Sequence, residues 1–208
     1  MDARKQIVRD AYDKIAERYL KWSAPSQVRT HYLDKFRTLL QDGADVLELG
    51  CGAGIPVTRT LTQRAHVTAV DISPAQAALA LKNAPAALIV CADMMALEFP
   101  PDSFDAVCAF YAITHLPREE HGEMFRRIAK WLKPGGTFLA SLGVFETDGR
   151  TEDWHGAPNY FSHPTADESL RLLESAGLVV AEQEIARQDL KGEEDLPFLW
   201  VVARKTAR

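Results

Sequence analysis

Residues 46–56 read VLELGCGAGIP, and this stretch decides how the rest of the chain is read. Val46, Leu47 and Leu49 form an apolar run as long as a buried strand, interrupted only by Glu48. Gly50, Gly52 and Gly54 follow at alternate positions, where φ can turn positive and no Cβ separates backbone from ligand. Pro56 suits the first turn of a helix, because its missing N–H costs little there, and Val57, Thr58 and Leu61 continue the helix. Strand, glycine turn and helix N-terminus together make a place for an anionic or carboxylate-bearing ligand.

Two nucleotide-type loops compete for this pattern. The dinucleotide fingerprint needs a third glycine five positions after the first, and that position is Ile55. Gly-x-Gly-x-Gly, with Glu48 two positions ahead, instead resembles motif I of the class I S-adenosylmethionine-dependent methyltransferases, where ELGCGAG is a common spelling. The resemblance puts Glu48, Gly50, Cys51, Gly52 and Gly54 at the methyl donor, with the glycines close to its methionine moiety.

Downstream residues extend the likeness. Residues 66–70 (HVTAV) make a second strand ending at Asp71, 21 positions beyond Gly50, where an acid can accept hydrogen bonds from both ribose hydroxyls. An NAD site would carry the same acid, and Asp71 also suits a helix start beside the cap Ser73. Residues 87–91 form a third strand followed by Asp93 and Met94. In the resembling family the acid here bonds the adenine amino group and its neighbour packs on the ring. Ile72 and Phe110 are assigned to the donor site by the same resemblance. Residues 104–110 (FDAVCAF) are strand four, and residues 133–136 (KPGG) match the family's turn before strand five, residues 137–142.

The N-terminal residues 1–42 read as a helical cap. Ile7, Ala11, Ile15, Tyr19 and Trp22 mark one helical face, residues 24–26 break it, and Val28, Tyr32, Phe36, Leu39 and Leu40 mark a second. YDKIAERY is similar to the opening of small-molecule methyltransferases; it implies that Tyr19 reaches the donor pocket, while Tyr12 is read as packing the helix onto the sheet.

Residues 143–164 (GVFETDGRTEDWHGAPNYFSHP) form a long segment without clear periodicity, and such segments are often functional. Family topology hangs it over the carboxyl ends of the strands as a substrate lid carrying Trp154, His155, Tyr160 and Phe161; the alternative is a surface hairpin that tucks its aromatics into a small cluster. His155, His163 and His115, in that order, are candidate general bases. For His115, the HLP that follows strand four in family members of differing substrate implies a structural task at the next helix, about residues 117–132. A helix over residues 165–177 and strands at 178–186 and 197–203, separated by the polar run 188–195, complete the chain.

With 208 residues the chain is expected to be a single domain, residues 1–208. The alternation of strands and helices implies a doubly wound α/β sheet, mostly parallel and covered on both faces. The resemblance supplies a seven-stranded Rossmann-like methyltransferase fold of order 3-2-1-4-5-7-6, strand 7 antiparallel. A net charge of −5 without a basic run argues against a nucleic-acid partner. No apolar stretch is long enough to span a bilayer, and Cys51, Cys91 and Cys108 lack the spacing of a disulfide framework or zinc site, so no metal and a cytoplasmic location are expected. The implied function is methyl transfer from S-adenosyl-L-methionine, leaving S-adenosyl-L-homocysteine, to a small-molecule acceptor by in-line displacement, in a monomer or homodimer. A non-catalytic donor-binding protein of the same fold and an NAD(P)-dependent oxidoreductase are the alternatives.

Overall fold

The apolar runs form strands in the computed structural model, which describes residues 1–23, 26–190, 192 and 196–206. In chain order these are β1 (Ala44–Leu49), β2 (Ala65–Asp71), β3 (Leu88–Cys91), β4 (Phe104–Ala109), β5 (Leu132–Gly143), β6 (Thr147–Trp154), β7 (Ala157–His163), β8 (Leu178–Arg187) and β9 (Pro197–Lys205). Seven of them make one sheet of order β3-β2-β1-β4-β5-β9-β8, in which β9 runs antiparallel to both its neighbours. Apart from the numbering of the inserted pair β6 and β7, this is the expected topology. Part of the expected break after the first helix, Ala24 and Pro25, and half of the polar run, Lys191 and Glu193 to Asp195, lie outside the described residues.

Among the described residues six α-helices surround the sheet: α1 (Ala3–Ser23), α2 (Gln27–Thr38), α3 (Val57–Leu61), α4 (Pro74–Asn83), α5 (His121–Trp131) and α6 (Ala166–Ser175). Successive side chains of a strand point to opposite faces, so β1 feeds two cores. Leu47 and Leu49 join Met124, Phe125 and Ile128 of α5 and Leu173 of α6. Val46 joins Tyr32, Leu33 and Phe36 of α2 and Val57 and Leu61 of α3. A strand buried on both sides reads as an unbroken apolar run, which is why β1 was legible. Thr165 caps α6 by accepting from the Glu168 N–H at 3.3 Å, and the Glu168 carboxylate pairs with Arg171.

Three segments differ from the sequence reading. The KPGG residues do not precede β5 but bulge out of it: Phe104 faces Leu132 while Ala106, two positions on, faces Thr137. The helix expected from residue 117 begins at His121, after a short 3-10 turn, Arg118–Glu120. Residues 143–164 are not an irregular loop, because β6 and β7 pair as an antiparallel hairpin. Its ends meet at Trp154 and Ala157, leaving a two-residue turn in which His155 and Gly156 both have positive φ, 53° and 88°. Such turns favour Asn or Asp before glycine, and the histidine hid the signal.

Gly50 and Gly52 both have positive φ, 73° and 54°, but they are needed for different reasons. A Cβ on Gly50 would stand 2.3 Å from the Cβ of Ala112, whereas one on Gly52 would meet nothing closer than Gln76 Oε1 at 3.9 Å. Gly50→Ala therefore combines overpacking with backbone strain and should destabilise by about 2–5 kcal/mol. Gly52→Ala carries the strain alone, about 1–2 kcal/mol. Urea unfolding of the two variants checks this; equal losses would contradict it.

Candidate active site

The carboxyl ends of β1 and β2 are joined by hydrogen bonds that consume the glycine loop. The N–H groups of Gly50 and Cys51 donate to the Val70 carbonyl at 2.8 and 2.9 Å, and that of Gly54 to the Cys51 carbonyl at 3.0 Å. The Gly52 N–H donates to Asp71 Oδ2 at 2.8 Å, and the Ser73 N–H donates to Asp71 Oδ1 at 2.9 Å. The amides of Gly50, Cys51, Gly52 and Gly54 are thus engaged within the protein, and α3 is only five residues long. The anion-binding reading of this helix N-terminus does not survive the geometry.

Two adjoining chambers open over this loop and share Tyr19, Gly50, Gly52 and Phe110 as walls. The larger encloses about 670 Å³, including space open to solvent at its mouth, and is lined also by Asp71, Ile72, Asp93, Met94 and His115. The smaller, about 400 Å³, is lined also by Glu48, Cys51 and Arg29. Of the donor-site residues expected from sequence, Gly54 lines neither: a Cβ there would press on Ala80 Cα at 3.0 Å, so its role is close packing of the loop on α4.

Sequence reasoning passed over four residues of this site. Tyr12, read as packing, lines the larger chamber, as does Lys5, because α1 lies across the strand ends rather than on the sheet. Arg29 is buried, donates to the Ser23 carbonyl at 3.3 Å, and sits over the Tyr111 ring at 5.2 Å. Gln76 is fully buried beneath Gly52, with neither side-chain polar atom paired among the described residues. Helical spacing from Tyr12 and Tyr19 could have pointed to Lys5, about two and four turns further toward the N-terminus on the same face. Nothing local marks Arg29.

The hairpin does not line either chamber. Trp154 packs against Tyr12 and Tyr19, with ring centres 5.4 and 5.5 Å apart, and His155 lies on Trp22 at 4.3 Å. Tyr160 turns its hydroxyl to Asp148, and Phe161 packs on His115 at 4.7 Å. His163 lies against Gly143, in the space that a Cβ would fill. Of the three candidate bases the structure brings only His115 to the chamber wall, reversing the order expected from sequence. The hairpin stands one layer behind α1, in the satellite-cluster arrangement that was the alternative to a lid.

His115 has a defined tautomer. Its Nδ1 lies 2.8 Å from the Tyr160 carbonyl, which can only accept, so Nδ1 carries the proton. Nε2 is then the acceptor for the Tyr12 hydroxyl at 2.9 Å. Burial pushes the imidazole down to about 4, so the ring is neutral across the physiological range. Two acids of the glycine loop move the other way. Burial raises Glu48 to about 8, against a hydrogen bond from the Thr58 hydroxyl at 2.6 Å that favours its anion, and raises Asp71 to about 6.

Residues 46–136 match the family described as "Methyltransferase domain". The chain carries a class I S-adenosylmethionine-dependent methyltransferase domain. It is 30% identical over 177 residues to a sterol 24-C-methyltransferase of Neurospora crassa, covering 81% of this chain and 42% of that protein. A 27-O-demethylrifamycin SV methyltransferase of Amycolatopsis mediterranei is 36% identical over 113 residues, covering 51% of this chain and 40% of that one. The chain therefore spans less than half the length of these two relatives. Among solved structures, the 1,6-didemethyltoxoflavin-N1-methyltransferase of Burkholderia thailandensis, with bound 1,6-didemethyltoxoflavin and S-adenosylhomocysteine, has the same fold with a TM-score of 0.71. Its identity is 23%, covering 99% of this chain and 92% of that chain. This methyltransferase fold contains, among its described residues, no cluster of metal-binding side chains and no helix long and apolar enough to cross a membrane.

The Glu48 shift has a consequence for stability. The carboxyl rises from 4.5 to about 8 on folding, so its contribution is fully present below pH 4.5 and is lost as pH climbs through 8. Glu48→Gln should remove that loss, so the variant gains on the wild type as pH rises from 5 to 8, by on the order of 3 kcal/mol. Urea unfolding across that range, without ligand, measures it; parallel pH curves would exclude a buried, strained carboxyl.

Proposed function

We propose that this chain transfers a methyl group from S-adenosylmethionine to a small-molecule acceptor. The observation that carries the reading is the glycine loop: the amides of all three glycines are occupied, its Gly52 α-carbon is bare toward open space, and carboxylates ring it. A pyrophosphate needs free loop amides, so the loop disfavours a dinucleotide. A cationic, amino-acid-bearing ligand needs close backbone approach and nearby acids, which is what Glu48, Asp71 and Asp93 provide.

On this reading Arg29 and Glu48, which share the smaller chamber, hold the carboxylate and ammonium of the methionine end. Asp71 has two oxygens that each accept one protein N–H, and each retains a second site for a ribose hydroxyl. Asp93 and Met94 take the adenine, and Tyr19 and Phe110 wall the junction of the two chambers. When bound, the donor supplies a methyl group already activated on a sulfonium. The protein's task is then to align the acceptor and exclude water, and good alignment contributes on the order of 7–11 kcal/mol. His115 stays neutral and fixes the Tyr12 hydroxyl at the chamber wall, orienting this surface rather than acting as a base. His155 and His163 hold the hairpin, whose Trp154, Tyr160 and Phe161 back the acceptor side of the cleft. The same reading has the chain act in the cytoplasm on a small molecule, not a nucleic acid, as a monomer or homodimer.

A second reading, donor binding without turnover, uses the same residues, because the displacement demands no universal catalytic side chain. Incubation with methyl-tritiated donor and a metabolite extract separates the two, since only an enzyme moves label into an acceptor. For the site itself, calorimetry with S-adenosylhomocysteine should show binding that Gly52→Val abolishes and that Asp71→Ala weakens by about 1.5–3 kcal/mol. Undiminished affinity in Gly52→Val, or binding of NADH in place of S-adenosylhomocysteine, would remove the assignment.

A further inference from the structure

Lys5 is an ammonium in an unusual place. It is 5% exposed, lies on α1, and lines the larger chamber beside Asp93 and Met94. Its Nζ stands 3.1 Å from Asp93 Oδ2 and 2.6 Å from Glu120 Oε2. Removing an ammonium from water is costly unless carboxylates surround it, and here two do. Asp93 is held from the other side as well, because its Oδ1 accepts the Met95 N–H at 2.9 Å. The carboxylate is therefore clamped at both oxygens, one by backbone and one by a residue 88 positions away in sequence.

We propose that Lys5 is a positioning residue for base selection: by fixing Asp93 as an oriented acceptor, it makes the chamber choose a purine bearing an exocyclic amino group over one bearing a carbonyl. The inference rests on the methyl-donor reading above and assigns the selectivity of that site to a residue outside the matched methyltransferase segment, residues 46–136. A carboxylate oxygen accepts more than one hydrogen bond, so Oδ2 can keep Lys5 and still receive an amino proton. Against a carbonyl the same oxygen is repulsive, and rotation of the carboxyl would relieve the clash. Lys5 and the Met95 N–H together forbid that rotation. Glu120 matters because it holds the ammonium when it is not fully shared with Asp93, so Lys5 does not swing into the chamber and offer the carbonyl a donor. Neither Arg4, which pairs with Asp2 and Glu119, nor any other cation has an ion pair to Asp93 among the described residues.

The test compares S-adenosylhomocysteine with S-inosylhomocysteine, in which a carbonyl replaces the amino group, by calorimetry on the full chain. The wild type should favour the adenosyl ligand by tenfold or more, as expected for a hydrogen bond to a charged group, about 1.5–3 kcal/mol. In Lys5→Met the adenosyl affinity should fall about tenfold while the inosyl affinity changes little, so the ratio collapses; Lys5→Arg, which keeps a cation beside Asp93, should restore most of it. Arg4→Ala loosens the same end of α1 without touching Asp93 and should leave the ratio alone. If Lys5 only straps the helix across the cleft, Lys5→Met will weaken both ligands equally, and that result overturns the proposal. Where Lys5→Met does not fold, Lys5→Gln reads the same ratio. Absence of adenosyl binding in the wild type would instead strike the methyl-donor reading itself, a failure seen before any variant is made.

Discussion

The carboxylate of Asp71 holds the site together. It stands at the end of β2 and reaches across to the Gly52 amide in the loop after β1, while its other oxygen takes the amide of Ser73 at the start of α4. One side chain thus fixes the strand end, the glycine turn and the helix entry in a single geometry. Shift it, and the bare α-carbon of Gly52 no longer faces the opening. The neighbouring glycine is held differently, by the methyl of Ala112 in the loop after β4, so the turn is braced from both adjacent strands.

That brace is electrostatically uneasy. Glu48 and Asp71 are both buried near the same loop, and burial favours their protonated forms. Arg29, itself buried with its Nε unpaired among the described residues, offsets only part of this. A site with underused acids and one underused guanidinium is better satisfied by a ligand bearing both charges than by water alone. Affinity and stability are therefore opposite faces of one arrangement: the groups that cost folding energy when empty are those a zwitterionic ligand would complete.

Much of this could be read along the chain, and the reasons it could not all be read are specific. β1, β2 and β4 declare themselves because two helix layers bury both their faces, leaving apolar runs without alternation. Gly50, Gly52 and Asp71 declare themselves because a tight turn between such strands tolerates few residue types. Arg29 and Gln76 have no such signature: Arg29 matters because α2 brings it to the smaller chamber, and Gln76 because α4 buries it beneath Gly52, tertiary facts with no local period. The hairpin was obscured because its turn uses His155 at positive φ, and its β6 strand is largely exposed and polar, so neither strand nor turn signals were present. The aromatics of residues 143–164 were expected to form a lid over the strand ends, but which side of α1 they occupy depends on packing that residue spacing does not encode.

The hairpin backs the wall of the larger chamber from outside, through the Tyr160 carbonyl and the Phe161 ring on His115 and through Trp154 on Tyr12 and Tyr19. The glycine loop and the hairpin are thereby separate parts, joined through the residues of that wall. The hairpin can be lengthened, shortened or exchanged across descendants of this chain while the loop after β1 goes undisturbed, provided each replacement presents a carbonyl to that imidazole. Diversification of substrate would then proceed by swapping an add-on, with the older machinery inherited intact.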